Sequence, residues 1–163
     1  MKFNKPLIAA AYLTAAIMIV MPLLEVVLSI APFRLGVTAW RFGALGVVSQ
    51  AYLTPLLGAV VVIYTAVLLG HSRTARIGGA VVLLLAVLLL LAVPFFALDT
   101  IQMRVSVRRE ALRAFDRSAL IAALKLFAAG VAGVVLGIGA WKASRRSSGA
   151  TRAHVIDGPL VRS

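Results

Sequence analysis

Four polar residues, Glu25, Gln50, Asp99 and Lys125, interrupt long apolar segments of this chain or lie at their rims. A charged side chain at the centre of a bilayer costs about 2.5 to 3.5 kcal/mol on insertion scales, and pairing within a helix bundle removes much of that cost. If the segments cross in alternating directions, all four residues fall near one membrane surface. The pattern therefore predicts a structural polar cluster, in which Lys125 pairs with Glu25 or Asp99, or in which the charges snorkel to the membrane edge. A polar pocket or a proton relay is the alternative.

Four apolar stretches must position these residues, and they cover residues 6–30, 47–70, 77–98 and 119–141. A helix rises about 1.5 Å per residue, so each stretch is long enough to cross a hydrocarbon layer about 30 Å thick. The 163 residues are 62% hydrophobic and 13% charged, far from the composition of a soluble domain. Continuous rather than alternating hydrophobicity favours helices over barrel strands. We predict an all-α integral membrane protein, with a four-transmembrane-helix bundle over residues 1–141 and a basic tail over residues 142–163.

The connections between the stretches carry signals of their own. Residues 31–46 combine aromatic side chains with two arginines and are predicted to lie along the membrane surface. Residues 102–118 are predicted to form a short basic amphipathic helix between helices 3 and 4, with Ser118 capping the fourth transmembrane helix. This helix either rests on water and lipid or docks against an acidic partner. The residues predicted to contact lipid or a partner are Arg104, Arg108, Arg109, Arg113, Arg117, Arg145 and Arg146.

The chain carries a formal net charge of +12, and its basic residues are divided among short segments at the ends of the apolar stretches. Anionic lipid headgroups and other membrane protein subunits are therefore expected as partners, and nucleic acid is not. Lys and Arg are slightly more numerous in the segments on the side of the N-terminus. This bias predicts that both termini lie in the cytoplasm, and the expected location is a bacterial inner (cytoplasmic) membrane.

Small residues recur at every fourth position of the fourth stretch, at Ala129, Gly133 and Gly137. Such a face lets two helix backbones approach closely inside a membrane, where van der Waals contact replaces the hydrophobic effect. The expected packing partner is either the alanine-rich first helix or a helix of another subunit.

Residues that could support chemistry are otherwise few. His71, at the end of the second stretch, is a weak candidate for binding haem or chlorophyll, since a lone interfacial histidine is more often solvated. The chain has no cysteine, and no metal site and no cofactor are predicted. No sequence motif of hydrolytic or phosphoryl-transfer enzymes is present, so an enzyme is not expected.

Two functions remain open at this point. The first is a non-catalytic accessory or structural subunit of a larger membrane complex, for example a respiratory or photosynthetic one, which packs through its transmembrane helices and basic extramembrane segments. The alternative is a small transporter or channel-like protein that uses the polar site at Glu25, Asp99 and Lys125.

Overall fold

The computed structural model describes the backbone of residues 5–156 and the side chains of residues 5–145. Its elements are all helical, which confirms the predicted helical class for this part of the chain. They are α1 (Lys5–Ile30), α2 (Thr38–Ala51), α3 (Leu53–Leu68), α4 (Ser72–Arg104), a short 3₁₀ helix (Arg109–Ala111) and α5 (Leu112–Ile156). Helices α1, α4 and α5 are each long and apolar enough to cross a membrane. The bent pair α2 and α3 gives a fourth crossing if it is counted as one span.

The axes of α2 and α3 differ by 47° across a break at Tyr52. Pro55 explains the break, because it has no backbone N–H to donate to the carbonyl of Ala51, and its ring crowds the preceding turn. The neighbouring bonds survive: Tyr52 N donates to Val48 O at 3.1 Å, and Leu56 N donates to Tyr52 O at 3.2 Å. The chain therefore bends without losing its helical direction.

The two long connections differ from the prediction. Residues 31–46 were expected to lie along the membrane surface, yet α2 begins at Thr38 and continues the second stretch by more than two turns. The prediction of a separate amphipathic helix over residues 102–118 is wrong. The first residues of this segment end α4, and its last residues begin α5. Ser118 does not cap a helix; it lies inside α5, and its Oγ donates to Ala114 O at 2.7 Å. The expected boundary at residue 141 also does not coincide with a helix end, because α5 continues to Ile156.

Helices α2 and α3 lie between α1 on one side and the α4–α5 hairpin on the other, and α1 contacts neither α4 nor α5. The hairpin is packed through small residues. A Cβ added to Gly133 would lie 2.8 Å from the Cβ of Ala86, and one added to Gly137 would lie 2.9 Å from Gly79 O. The partner of the small-residue face is therefore α4 of the same chain, and neither of the two expected partners, since only a glycine or alanine surface permits this backbone approach.

At the other end of the hairpin, α3 turns into α4 through Gly70. Its φ of +70° lies in the left-handed region that glycine adopts without strain. His71 N then donates to Ala66 O at 2.8 Å, which closes the end of α3. This turn, together with the N-terminus of α1, defines the His71 end of the bundle. The opposite end, where α1 and α4 finish and α2 and α5 begin, is called the Asp99 end.

A groove opens between α1 and α4, which do not contact each other, and residues of α2 and α3 also line it. It encloses a volume of about 420 Å³, and its walls include Leu23 and Val26 of α1 and Leu85 of α4. Tyr52 contributes the one hydroxyl group among the lining residues. The apolar groove thus marks one flank of the bundle, and it provides the reference against which the polar residues can be placed.

Candidate functional site

A polar contact with several hydrogen bonds joins α2 to α4 at the Asp99 end. Asp99 is only 3% exposed, and its two carboxylate oxygens accept hydrogen bonds from Arg41, from Nε at 3.1 Å and from Nη2 at 2.6 Å. Arg41 also donates from Nη1 to Leu35 O at 3.0 Å and from Nη2 to Thr38 Oγ1 at 3.4 Å. This two-pronged geometry fixes both the position and the orientation of the guanidinium.

An aromatic stack supports the same junction. The ring of Phe42 lies 5.1 Å from that of Phe96 in α4 and 5.3 Å from that of Phe115 in α5, and both pairs are close to parallel. The indole Nε1 of Trp40 donates to Ile30 O at 2.8 Å and ties the start of α2 to the end of α1. The consecutive residues Trp40, Arg41 and Phe42 therefore connect α2 to α1, α4 and α5 at this end.

A second ion pair closes the hairpin, with Arg104 Nη2 2.9 Å from Asp116 Oδ2. Both side chains are largely exposed, so this contact adds little to stability. Among residues 5–145 these two pairs are the ion pairs that form. Neither includes Glu25 or Lys125, so the expected pairing of Lys125 with Glu25 or Asp99 is absent, because Arg41 already neutralises Asp99.

The remaining members of the predicted cluster, Glu25, Gln50 and Lys125, are all exposed. Their directions follow from helical geometry, at about 100° per residue. In α1, Ala15 faces α3, and Leu23 and Glu25 point about 80° to either side of it, with Leu23 lining the apolar groove. Glu25 therefore points away from the groove.

Helical geometry also places Gln50 of α2 on the side of the bundle to which Glu25 points. Trp40 points toward α1, and Val48 and Gln50 point about 80° to either side of it. Val48 lines the apolar groove, so Gln50 points away from it. In α5, Lys125 points about 100° away from the face that packs on α4 and close to the direction of Leu136, and no residue of α5 is among those that line the groove.

Glu25, Gln50 and Lys125 thus project from a single side of the bundle, opposite the apolar groove. We call these three residues the polar flank. Its two edges are α1 and α5, and α2 with α3 forms its centre. Three of the four residues predicted to cluster therefore share one surface, and the fourth, Asp99, is turned into the core.

Depth along the bundle can be measured from the Arg104–Asp116 pair. Lys125 follows Asp116 by nine residues of α5, which places it about 13 Å toward the His71 end. The Lys125 side chain therefore leaves the backbone well inside the apolar part of α5, which has the composition of a membrane span.

Glu25 reaches the same depth by a different route. Asp99 lies about 7 Å inward of that ion pair and bonds to Arg41, and Trp40, one residue earlier, bonds to Ile30. Glu25 is five residues further inward along α1, which brings it to about 13 Å as well. The two charges of opposite sign therefore lie at comparable depths on the two edges of the polar flank, and Gln50 lies about 7 Å deeper between them.

The other predicted site residues lie apart from this surface. His71 Nδ1 is 3.2 Å from the Tyr12 hydroxyl at the opposite end, which leaves Nε2 for any metal of a haem or chlorophyll. Arg145 lies over the Trp141 ring, with its Cζ 5.3 Å from the ring centroid. Among the described residues no three His, Asp or Glu side chains converge in a way that could hold a metal ion. Arg146 lies outside the described side chains, and Arg108, Arg109, Arg113 and Arg117 surround the start of α5 as exposed cations.

Sequence reasoning missed Arg41, although a signal for it existed. A lone carboxylate in the apolar α4 requires a cation at its own level. The start of the second span faces the end of α4, and Arg41 is the basic residue there, flanked by Trp40 and Phe42. Helical periodicity in residues 38–51 would have predicted that α2 begins early enough to bring the Arg41 and Asp99 side chains together.

Comparison with known proteins does not identify a family for this chain. No protein-family model matches the chain. No curated protein matches it, and no solved structure matches it.

Proposed function

We propose that this chain is a non-catalytic subunit of a larger membrane protein complex, of the kind found in respiratory or photosynthetic assemblies. The observation that carries the proposal is the polar flank. Glu25 and Lys125 are exposed, make no hydrogen bond or ion pair within residues 5–145, and belong to helices with the composition of membrane spans.

The physical reason is the cost of an unpaired charge next to hydrocarbon, which reaches about 2.5 to 3.5 kcal/mol per residue at the bilayer centre on insertion scales. Lipid chains offer no hydrogen bonds, and both side chains start about 13 Å inward of the Arg104–Asp116 pair. A protein surface that supplies opposite charges at this depth removes the cost for both residues. The flank therefore favours association with membrane protein over immersion in lipid.

The extramembrane charges support a location in a membrane with anionic lipids. The arginines around the start of α5 and those near its C-terminal part would contact headgroups at the two surfaces. We propose a bacterial cytoplasmic membrane with both termini inside, because the basic residues on that side are slightly more numerous.

A small transporter or channel-like protein is the second candidate. It is favoured by the common side of Glu25, Gln50 and Lys125, which could form a polar path if a partner covered them. It is disfavoured by Asp99, whose two oxygens are both engaged by Arg41 and so are not free to bind an ion or a proton in transit.

The proposal is tested by purifying the tagged full-length chain from its native membrane in two different mild detergents. We expect other membrane proteins to accompany it in a constant molar ratio in both. A matched chain ending at Arg145 retains all the described side-chain packing but lacks residues 146–163 of the basic tail, and we expect it to lose some of the accompanying membrane proteins. If the full-length chain purifies in both detergents with lipid but without any other membrane protein in constant ratio, the proposed function is wrong.

A further inference from the structure

We propose that the polar flank is the contact face for a second copy of this chain, with Glu25 of each copy paired with Lys125 of the other. The inference deepens the proposed function, on which it rests, by naming one partner within the complex. It follows from the signs, the depths and the lateral positions of the two charges.

The flank is self-complementary under a two-fold axis along the membrane normal. Such an axis leaves every depth unchanged and exchanges the two lateral edges, so the α1 edge of one copy faces the α5 edge of the other. Because Glu25 lies on one edge and Lys125 on the other at about the same depth, the operation creates two identical opposite-charge pairs. Gln50, at the centre of the flank, would then lie near the axis beside its own symmetry mate.

Intramolecular pairing does not compete with this arrangement. Helices α1 and α5 are not in contact, since α2 and α3 separate them. Packed helices lie about 8 to 10 Å apart, so two helices separated by a third are roughly twice that distance apart. The Glu25 carboxylate and the Lys125 ammonium of one copy are accordingly left unpaired, as the structure shows.

Other occupants fit the flank less well. Hydrocarbon chains cannot neutralise either charge, and the apolar groove on the opposite side is the surface whose lining suits them. A different subunit would need a cation facing α1 and an anion facing α5 at the same depth. A second copy of the chain supplies both, because its Lys125 faces α1 and its Glu25 faces α5.

Charge reversal gives a sharp test, measured as association of the purified full-length chain in lipid bilayers by energy transfer between two labelled populations. Wild-type chains should associate. Glu25→Lys places two lysines opposite each other, Lys125→Glu places two glutamates opposite each other, and each variant alone should associate at least ~10-fold more weakly than wild type because like charges meet at both pairs. When the two variants are mixed, each lysine faces a glutamate, and association with each other should return to near the wild-type level.

Arg113→Glu is the matched control, because it changes the net charge as Lys125→Glu does and lies at an exposed position of α5 outside the flank. It should associate like wild type. Recovery in the mixture also proves that both variants are folded, so a loss in the separate samples cannot be attributed to misfolding.

Three results would overturn the inference. Wild-type chains that do not associate in bilayers would mean that a second copy does not cover the flank. Single variants that associate like wild type would exclude the charge pairs. Loss in both variants without recovery on mixing would mean that Glu25 and Lys125 do not face each other between the two copies. None of these measurements involves another subunit, so the inference and the proposed function can fail independently.

Discussion

Replacing Arg41 by Met removes the guanidinium that engages both oxygens of Asp99 and leaves a carboxylate that is 97% buried without its partner. Breaking a buried pair by deleting one member costs about 3 to 5 kcal/mol, because the remaining charge stays uncompensated. The Arg41 side chain is 37% exposed, so water or headgroups can reach part of this site, and the lower end of that range applies. We expect the orphaned Asp99 carboxylate to lower the free energy of unfolding by about 3 kcal/mol.

The measurement is reversible unfolding in mixed micelles of a mild and a denaturing detergent, followed by loss of helix signal. The double variant Arg41→Met with Asp99→Leu should regain most of the lost stability, because no buried charge then remains. Arg104→Met is the control. It breaks an ion pair whose side chains are 58% and 42% exposed, and it should cost less than about 1 kcal/mol.

Two results would refute this reasoning. In the first, Arg41→Met is no more damaging than Arg104→Met, which would mean that the carboxylate is solvated in the folded protein. In the second, the double variant is as unstable as the single variant, which would assign the loss to packing rather than to the buried charge.

The packing of the bundle leads to two further predictions. Gly133→Ala should destabilise by about 1 to 3 kcal/mol, because the new Cβ would meet that of Ala86 at 2.8 Å, whereas Gly139→Ala in the same helix meets nothing within 4 Å and should be neutral or stabilising in the same unfolding assay. Phe42→Leu should lose both ring stacks and lower stability by about 1 to 2 kcal/mol, and a double-mutant cycle with Phe96→Leu should show coupling between the two rings; additive effects would mean that the stack contributes nothing beyond its volume.

The helical spans were predictable because their composition leaves few alternatives. The first, third and fourth stretches correspond to α1, α4 and α5, each extended at one or both ends. The start of the second stretch was not predictable, since Arg41, Gly43 and Gly46 lower the hydropathy of α2. What makes that segment a helix inside the bundle is tertiary contact, above all the bond from Arg41 to Asp99 and the stack around Phe42.

The error in the third connection has a related cause. The apolar spacing that predicted a separate amphipathic helix included Phe115, and Phe115 continues into Ala119, Ala122 and Leu126, which are the buried or half-buried stripe of α5. The periodicity was therefore real, but it belonged to the span that follows. A pattern of this kind gives the face of a helix and does not show where the helix begins.

The sequence constrains the depth of the charged residues within their spans, but not the direction in which they point. Alternating spans place Glu25, Asp99 and Lys125 toward one end whatever their neighbours are. Which of them meet depends on the rotation of each helix about its own axis, and α4 is apolar around most of its circumference, so its sequence does not indicate where Asp99 points. The packing of Gly79 and Ala86 on α5 sets that rotation, and it turns Asp99 toward Arg41 and away from Lys125.

We propose that α2 and α3 cross the membrane together as one bent span, which would place Glu25 and Lys125 toward the same membrane surface. Because the chain has no cysteine, single cysteines at Leu35, Val105 and Thr74 can be labelled in sealed vesicles with a reagent that does not cross the bilayer. Leu35→Cys and Val105→Cys should react from the same side, and Thr74→Cys from the opposite side. Reaction of Thr74→Cys from the same side as Leu35→Cys would make α2 and α3 a re-entrant loop and would contradict the four-span bundle with its polar flank.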